Sequence, residues 1–103
     1  MAFFLDSADL AAATNTTLRQ ITAGMNKTTT SVNFCNRSSA PVPVRFAVAS
    51  TATPTAAEWL IYDVVVPGNG SLERSGVPTP AGKYIVMYAS AAGVSGQCYG
   101  SEE

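Results

Sequence analysis

The chain has 103 residues, room for one domain of ordinary size and not for two. Only 13% of them are charged, about half the usual share, while 47% are apolar, so little on the surface keeps identical copies apart. A net charge of −1 excludes the basic footprint that phosphate binding needs, and the absence of histidine excludes Ser-His-Asp and Cys-His catalysis and imidazole metal ligands.

Residues 1–13 open on Ala2-Phe3-Phe4-Leu5, which no basic residue precedes and which Asp6 and Asp9 interrupt. A secretory signal has the opposite pattern, so synthesis in a cytoplasm is expected. Ser7 to Ala13 is rich in helix formers, with Asp6 or Ser7 as a cap, but one or two turns are marginal alone. The segment is therefore read as an N-terminal arm ahead of a domain spanning 14–103. Its apolar residues Phe3, Phe4, Leu5 and Leu10 are the candidate interface. Each large side chain that a partner buries stabilises by about 2 to 3 kcal/mol, and folding back onto the chain's own core is the equal alternative.

Thr14 to Ala23 is a weak strand, with Leu18 and Ile21 its only bulky apolar residues. Thr28 to Asn36 sets Val32 and Phe34 against Ser31, Asn33 and Cys35, and it is expected to pair with the next strand across an Asn36 to Ala40 turn. In Pro41 to Ser50, Val42, Val44, Phe46 and Val48 alternate with Pro43, Arg45, Ala47 and Ala49, the period of a half-buried strand. Glu58 to Val66 has an apolar centre and stops at Pro67-Gly68-Asn69-Gly70, whose glycines and asparagine tolerate positive φ. A short strand at Ser71 to Arg74 follows. Lys83 to Ser90 sets Tyr84, Val86 and Tyr88 against Ile85, Met87 and Ala89, so both faces meet something. Gly93 to Gly100 comes last. About seven strands with turn signals between them predict an all-β fold, a single antiparallel β-sandwich or jelly roll. No apolar run approaches the length of a membrane helix, so no membrane is expected as a partner.

Chemistry is sparse. Glu58, Asp63 and Glu73 are the minimum for two-carboxylate hydrolysis, yet Asp63 or Glu73 paired with Arg45 or Arg74 on a solvent face is the stronger expectation. Ser95 lies in Gly93-Val94-Ser95-Gly96 with no base to activate it, Gly68-Asn69-Gly70 precedes no Gly-Lys-Ser/Thr, and two cysteines do not complete a zinc site. No catalytic residue, cofactor or metal is expected. Cys35 and Cys98 bridged would close a loop of roughly 60 residues, worth about 4 kcal/mol in the chain-entropy account. Reduced thiols are favoured over that bridge in a cytoplasm. Trp59, Tyr62, Tyr84, Tyr88 and Tyr99 suit a core or subunit interface better than a sugar platform.

An ordered set of segments resembles a group of small tailed-bacteriophage virion proteins. Ile21-Thr22-Ala23-Gly24 and Thr30-Ser31-Val32-Asn33-Phe34-Cys35-Asn36-Arg37 match a "VPAG…VNVCNR" opening, and Val44-Arg45-Phe46-Ala47-Val48 matches a "V-R-x-A-[IV]" strand. Trp59-Leu60-Ile61-Tyr62-Asp63 matches "W-[IL]-x-Y-D", and Asn69-Gly70-Ser71-Leu72-Glu73-Arg74-Ser75-Gly76 matches "NG-x-LER-[ST]-G". Ala81-Gly82 with Tyr84-Ile85, then Val94-Ser95 and Tyr99-Gly100-Ser101-Glu102, complete the series. Ile21-Thr22 stands where the group has Val-Pro, and residues 25–27 alter the first hairpin.

The resemblance implies a structural part of a phage particle, made in the host cytoplasm and built into the virion. The leading expectation is a decoration, or cement, protein on the outer capsid surface, a homotrimer bridging major capsid subunits. A tail, collar, baseplate or fibre accessory contacting tail proteins is the second, and a carbohydrate-binding attachment module the third. Nucleic acid is not expected.

Overall fold

A computed structural model describes residues 2–25 and 27–103; Asn26 lies outside the described residues, and the first hairpin expected around it does not form, since the strands on either side belong to different sheets. Eight strands follow in chain order: β1 (Ala2–Asp9), β2 (Thr16–Gln20), β3 (Thr28–Asn36), β4 (Val42–Ala49), β5 (Trp59–Val66), β6 (Ser71–Pro78), β7 (Tyr84–Ala89) and β8 (Val94–Glu102). They form two four-stranded sheets, β1-β8-β3-β6 and β2-β7-β4-β5, in which every strand pair is antiparallel. The fold is a single all-β sandwich, and the two strand orders are those of a jelly roll, two Greek keys folded over one core.

The period-two pattern explains which residues fill the space between the sheets. Along β3 the even-numbered residues from Thr28 to Asn36 are buried and the odd-numbered ones are not. Val32, Phe34, Val44, Phe46, Ile85, Met87, Val94 and Cys98 are all withdrawn from solvent and form one cluster. On β7, Ile85, Met87 and Ala89 face this core. Val86 on the opposite face is also fully buried.

Two further expectations are corrected. Residues 2–9 are not an arm but β1, paired with β8 along eight residues from Ala2↔Glu102 to Asp9↔Ser95. Phe4 and Leu10 enter the chain's own core. The alternation Phe4, Asp6, Ala8 against Phe3, Leu5, Ser7 is a strand pattern, which the charges of Asp6 and Asp9 disguise. Second, β3 does not pair with β4. It pairs with β8 and β6, and the Asn36 to Ala40 segment crosses between the sheets. Asn36 makes that corner: its buried Nδ2 donates to Ala40 O at 2.8 Å and Val66 O at 3.1 Å, while its Oδ1 accepts from Ser38 N at 3.0 Å. The Val66 carbonyl is buried there, so the Asn36 side chain bonds the backbone at the point where the chain leaves one sheet for the other.

Cys35 and Cys98 are unbridged thiols, the state favoured over a bridge from the sequence. Cys98 points into the core opposite Val32, whereas Cys35 is on the outer face of the same sheet opposite Ser95. The two are separated by three pairing steps, about 10 Å at 3.3 Å per residue, and they face opposite ways, which a disulfide does not span.

One side of the sandwich is closed by charge. Arg19 on β2 reaches across to the other sheet, with Nη1 3.1 Å from Asp6 Oδ2 on β1 and Nε 3.3 Å from Glu102 Oε1 on β8. Its guanidinium also lies 4.4 Å over the Phe4 ring. Partial burial works against the charge, but the hydrogen bonds to Glu102 and Asp6 outweigh it and hold the arginine's pKa above its ordinary value. Glu102 is only 5% exposed and its other oxygen accepts from Thr22 Oγ1 at 3.3 Å.

Two substitutions test this framework. Arg19→Ala leaves Glu102 buried without its cation; because Arg19 itself keeps some solvent contact, the expected loss is about 2 kcal/mol, below the 3 to 5 of a fully buried pair, read from urea unfolding. Gly100→Ala would set a Cβ 1.9 Å from the backbone oxygen of Thr29 on the adjoining strand. Neither backbone has room to yield, so the midpoint should fall by the equivalent of about 3 kcal/mol, the upper end of overpacking costs, while Ser101→Ala on the outer face should leave it almost unchanged.

Candidate interaction surfaces

The outer face of the β2-β7-β4-β5 sheet gathers aromatic rings around one cation. Register places Arg45 on β4 between Tyr88 on β7 and Tyr62 on β5. Its guanidinium carbon sits 4.2 Å from the Tyr62 ring centre, 4.5 Å from Tyr88 and 5.9 Å from Trp59. Trp59 and Tyr62 meet edge to face at 5.8 Å. Asp63 closes the group, accepting from Arg45 Nε at 2.6 Å and Nη2 at 3.2 Å. That hydrogen bonding is the main reason the Arg45 pKa is raised.

Asp63 reaches Arg45 through an irregularity in its strand. It adopts φ 55°, and the β4–β5 register shifts between Val44 and Arg45. The extra residue of a bulge re-aims a side chain at a modest cost in ladder pairing. The carboxylate and Tyr62 thereby come to the same face although they are neighbours in sequence. Beside them Ala56, Trp59 and Tyr62 line a surface depression of about 290 Å³. Tyr62 is 56% exposed, so this corner of the cluster is open to a partner.

The outer face of the other sheet is built differently. Its centre is a field of small polar groups, Thr29, Ser31, Asn33, Ser95 and Gln97 among them, with Asn33 Nδ2 donating to Gln97 Oε1 at 2.9 Å. At the β1 edge Phe3 is 82% and Leu5 72% exposed, the greatest exposures of large apolar side chains among the described residues. Phe3 lines a depression of about 370 Å³ with Thr29, Ser31, Tyr99 and Ser101. The Tyr99 hydroxyl donates to the Glu73 carboxylate, which holds the phenol's pKa above its ordinary value.

The candidate residues from the sequence thus separate. Of the four proposed interface residues, Phe3 and Leu5 remain on the surface and Phe4 and Leu10 are core. The aromatics divide into Trp59, Tyr62, Tyr84 and Tyr88 on one outer face and Tyr99 on the other. The acids do not converge. Asp63 pairs with Arg45, as expected; Glu73 binds Tyr99 rather than Arg74; Glu58 caps a 3₁₀ turn at Ala56–Glu58, accepting from the backbone N–H of Thr55 at 2.8 Å and of Ser50 at 2.9 Å. Those backbone bonds, Thr55 first, lower its pKa. Ser95 lies on β8, on the outer face opposite Cys35 and Asp9. Sequence reasoning missed the box around Arg45 as a unit, although the arginine, the aromatic run and the aspartate were each visible.

No known family model, curated protein or solved structure matches this chain.

Cys98 yields a prediction on reactivity. Burial first, and the Asp6 carboxylate second, push its thiol up to about 12. Because only the thiolate is nucleophilic, alkylation of the folded protein at pH 8 should stop short of Cys98. Unfolded but unreduced chain should take up two groups, which intact mass resolves. The linkage sign is also set. The folded pKa lies above the unfolded one, so Cys98 contributes stability that is present below about pH 9 and is lost as pH rises towards 12. The alkaline decline in melting temperature should therefore be shallower in Cys98→Ala than in the natural chain.

Proposed function

We propose that this chain is a structural component of a tailed-bacteriophage particle, a decoration protein that binds the outer surface of the head and bridges major capsid subunits. The observation that carries the reading is spatial. Segments that resemble the phage group in linear order meet one another in the folded chain. Arg45 of the "V-R-x-A" segment is bonded to Asp63 and stacked on Tyr62 of the "W-[IL]-x-Y-D" segment. Tyr99 of the closing segment is bonded to Glu73 of the "LER" segment.

Architecture and surface support it as well. The jelly roll is used by capsid and lectin domains. A stiff sandwich with 13% charged residues costs little to desolvate, and symmetric repetition on a particle multiplies each weak contact. In this role the chain supplies shape and adhesion, and no step of turnover is invoked.

Quantitative staining of purified virions tests the reading. A head decoration protein is expected in hundreds of copies, in fixed proportion to the major capsid protein. Tens of copies would assign it to the tail, collar or baseplate, and its absence from particles would overturn the proposal. A second reading rests on the open depression beside Trp59 and Tyr62, whose rings have the shape of a sugar platform. Titrating host polysaccharide while following Trp59 emission separates the two: a saturable change, abolished in Tyr62→Ala, would favour attachment to glycan, and a flat response would remove that reading.

A further inference from the structure

A four-stranded sheet has two edges, so the sandwich exposes β1, β6, β2 and β5. Three are blunted in the way that prevents strand addition. The register shifts within the β2, β5 and β6 pairings, Asp63 on β5 and Gly76 on β6 hold positive φ, and Pro78 ends β6. β1 has none of these devices. It runs eight residues against β8 without a shift, and its outer face carries Phe3 and Leu5, 82% and 72% exposed.

The direction of its unpaired groups follows from one hydrogen bond. Leu10 N donates to Val94 O at 2.9 Å, continuing the register in which Asp9 faces Ser95. In an antiparallel ladder, residues alternate between bonding one neighbour and bonding the other. Even-numbered residues of β1 therefore bond β8, and Phe3, Leu5, Ser7 and Asp9 leave N–H and C=O pointing from the free edge.

We propose that β1 pairs antiparallel with β1 of a second copy of this chain, about a two-fold axis through Phe4. In that register Phe3 lies opposite Leu5 of the other copy and Leu5 opposite Phe3. Both pairs are of the bonding kind, so four ladder hydrogen bonds form and the two sheets become one of eight strands. The strand's own sequence selects this occupant. Read backwards against itself it sets apolar on apolar at both exposed positions and Asp6 opposite Ala2, and Asp9 lies beyond the overlap, so no like charges stand opposite each other. A net charge of −1 adds little repulsion between copies. The contact closes on itself, joining subunits in pairs whatever other interface they use. It stands independently of the phage reading.

Proline decides it by parity. Leu5→Pro removes an N–H that faces the free edge and leaves the β1–β8 ladder intact, whereas Ala8→Pro removes an N–H that bonds β8. Sedimentation of the full chain should show the Leu5→Pro particle at half the natural mass with its circular dichroism retained. Should Leu5→Pro fold poorly, the double variant Phe3→Lys, Leu5→Lys changes only exposed side chains and should halve the mass in the same way. Hydrogen exchange should find the Phe3 and Leu5 amides slow in concentrated protein and fast on dilution, with the even-numbered amides slow in both. A natural chain that sediments as a monomer at every concentration, or an unchanged mass in the folded lysine variant, would overturn the proposal.

Discussion

Strand β8 is the element on which the rest of the structure depends. It is hydrogen-bonded on both flanks, to β1 and to β3, over its whole length. It supplies Val94 and Cys98 to the core and Glu102 to the charged closure. So central a position demands close approach on both sides, and Gly100 permits it where any Cβ would strike the Thr29 carbonyl. β8 is also the last strand, and the first strand completes its sheet only through it. The fold is thus built on pairings between distant parts of the chain, which places its loop-closure entropy early in folding and the reward late.

Because every connection but that between β4 and β5 carries the chain from one sheet to the other, the two outer faces are composed from separated segments. One becomes an aromatic box held around Arg45 by Asp63, and the other a polar field bordered by the apolar edge of β1. Both are surfaces rather than clefts, and the acids that might have served chemistry are each engaged in holding a turn, a cation or a phenol. This arrangement supports the proposal that the molecule is a component that binds other proteins.

Much of the fold was legible. Alternation placed β3 at its observed bounds and β4 and β7 within a residue of theirs, since a half-buried strand must write its period into the chain, and the apolar run that stops at Pro67-Gly68-Asn69-Gly70 did the same for β5. β1 was not legible, because two aspartates interrupt its apolar run and one of them, Asp6, faces inward only because Arg19 is waiting there. The pairing of β3 was misread for a related reason. A short polar loop between two strands looks like a hairpin, and only the folded chain brings the Asn36 amide against the Ala40 and Val66 carbonyls to make a corner. The box around Arg45 escaped as a unit because its members are neighbours across strands, and register is set by packing.

From its residues alone, this protein is all-β, weakly charged and without imidazole chemistry, because composition and side-chain alternation are local properties that tertiary contact does not rewrite. Which strand lies beside which, that the two thiols face opposite ways, that Phe4 is core while Phe3 and Leu5 stand in solvent, and that one edge alone was left straight were decided in three dimensions. Each depends on hydrogen bonds and ion pairs between segments that are far apart in the chain, and these have no signature until the sheets have formed.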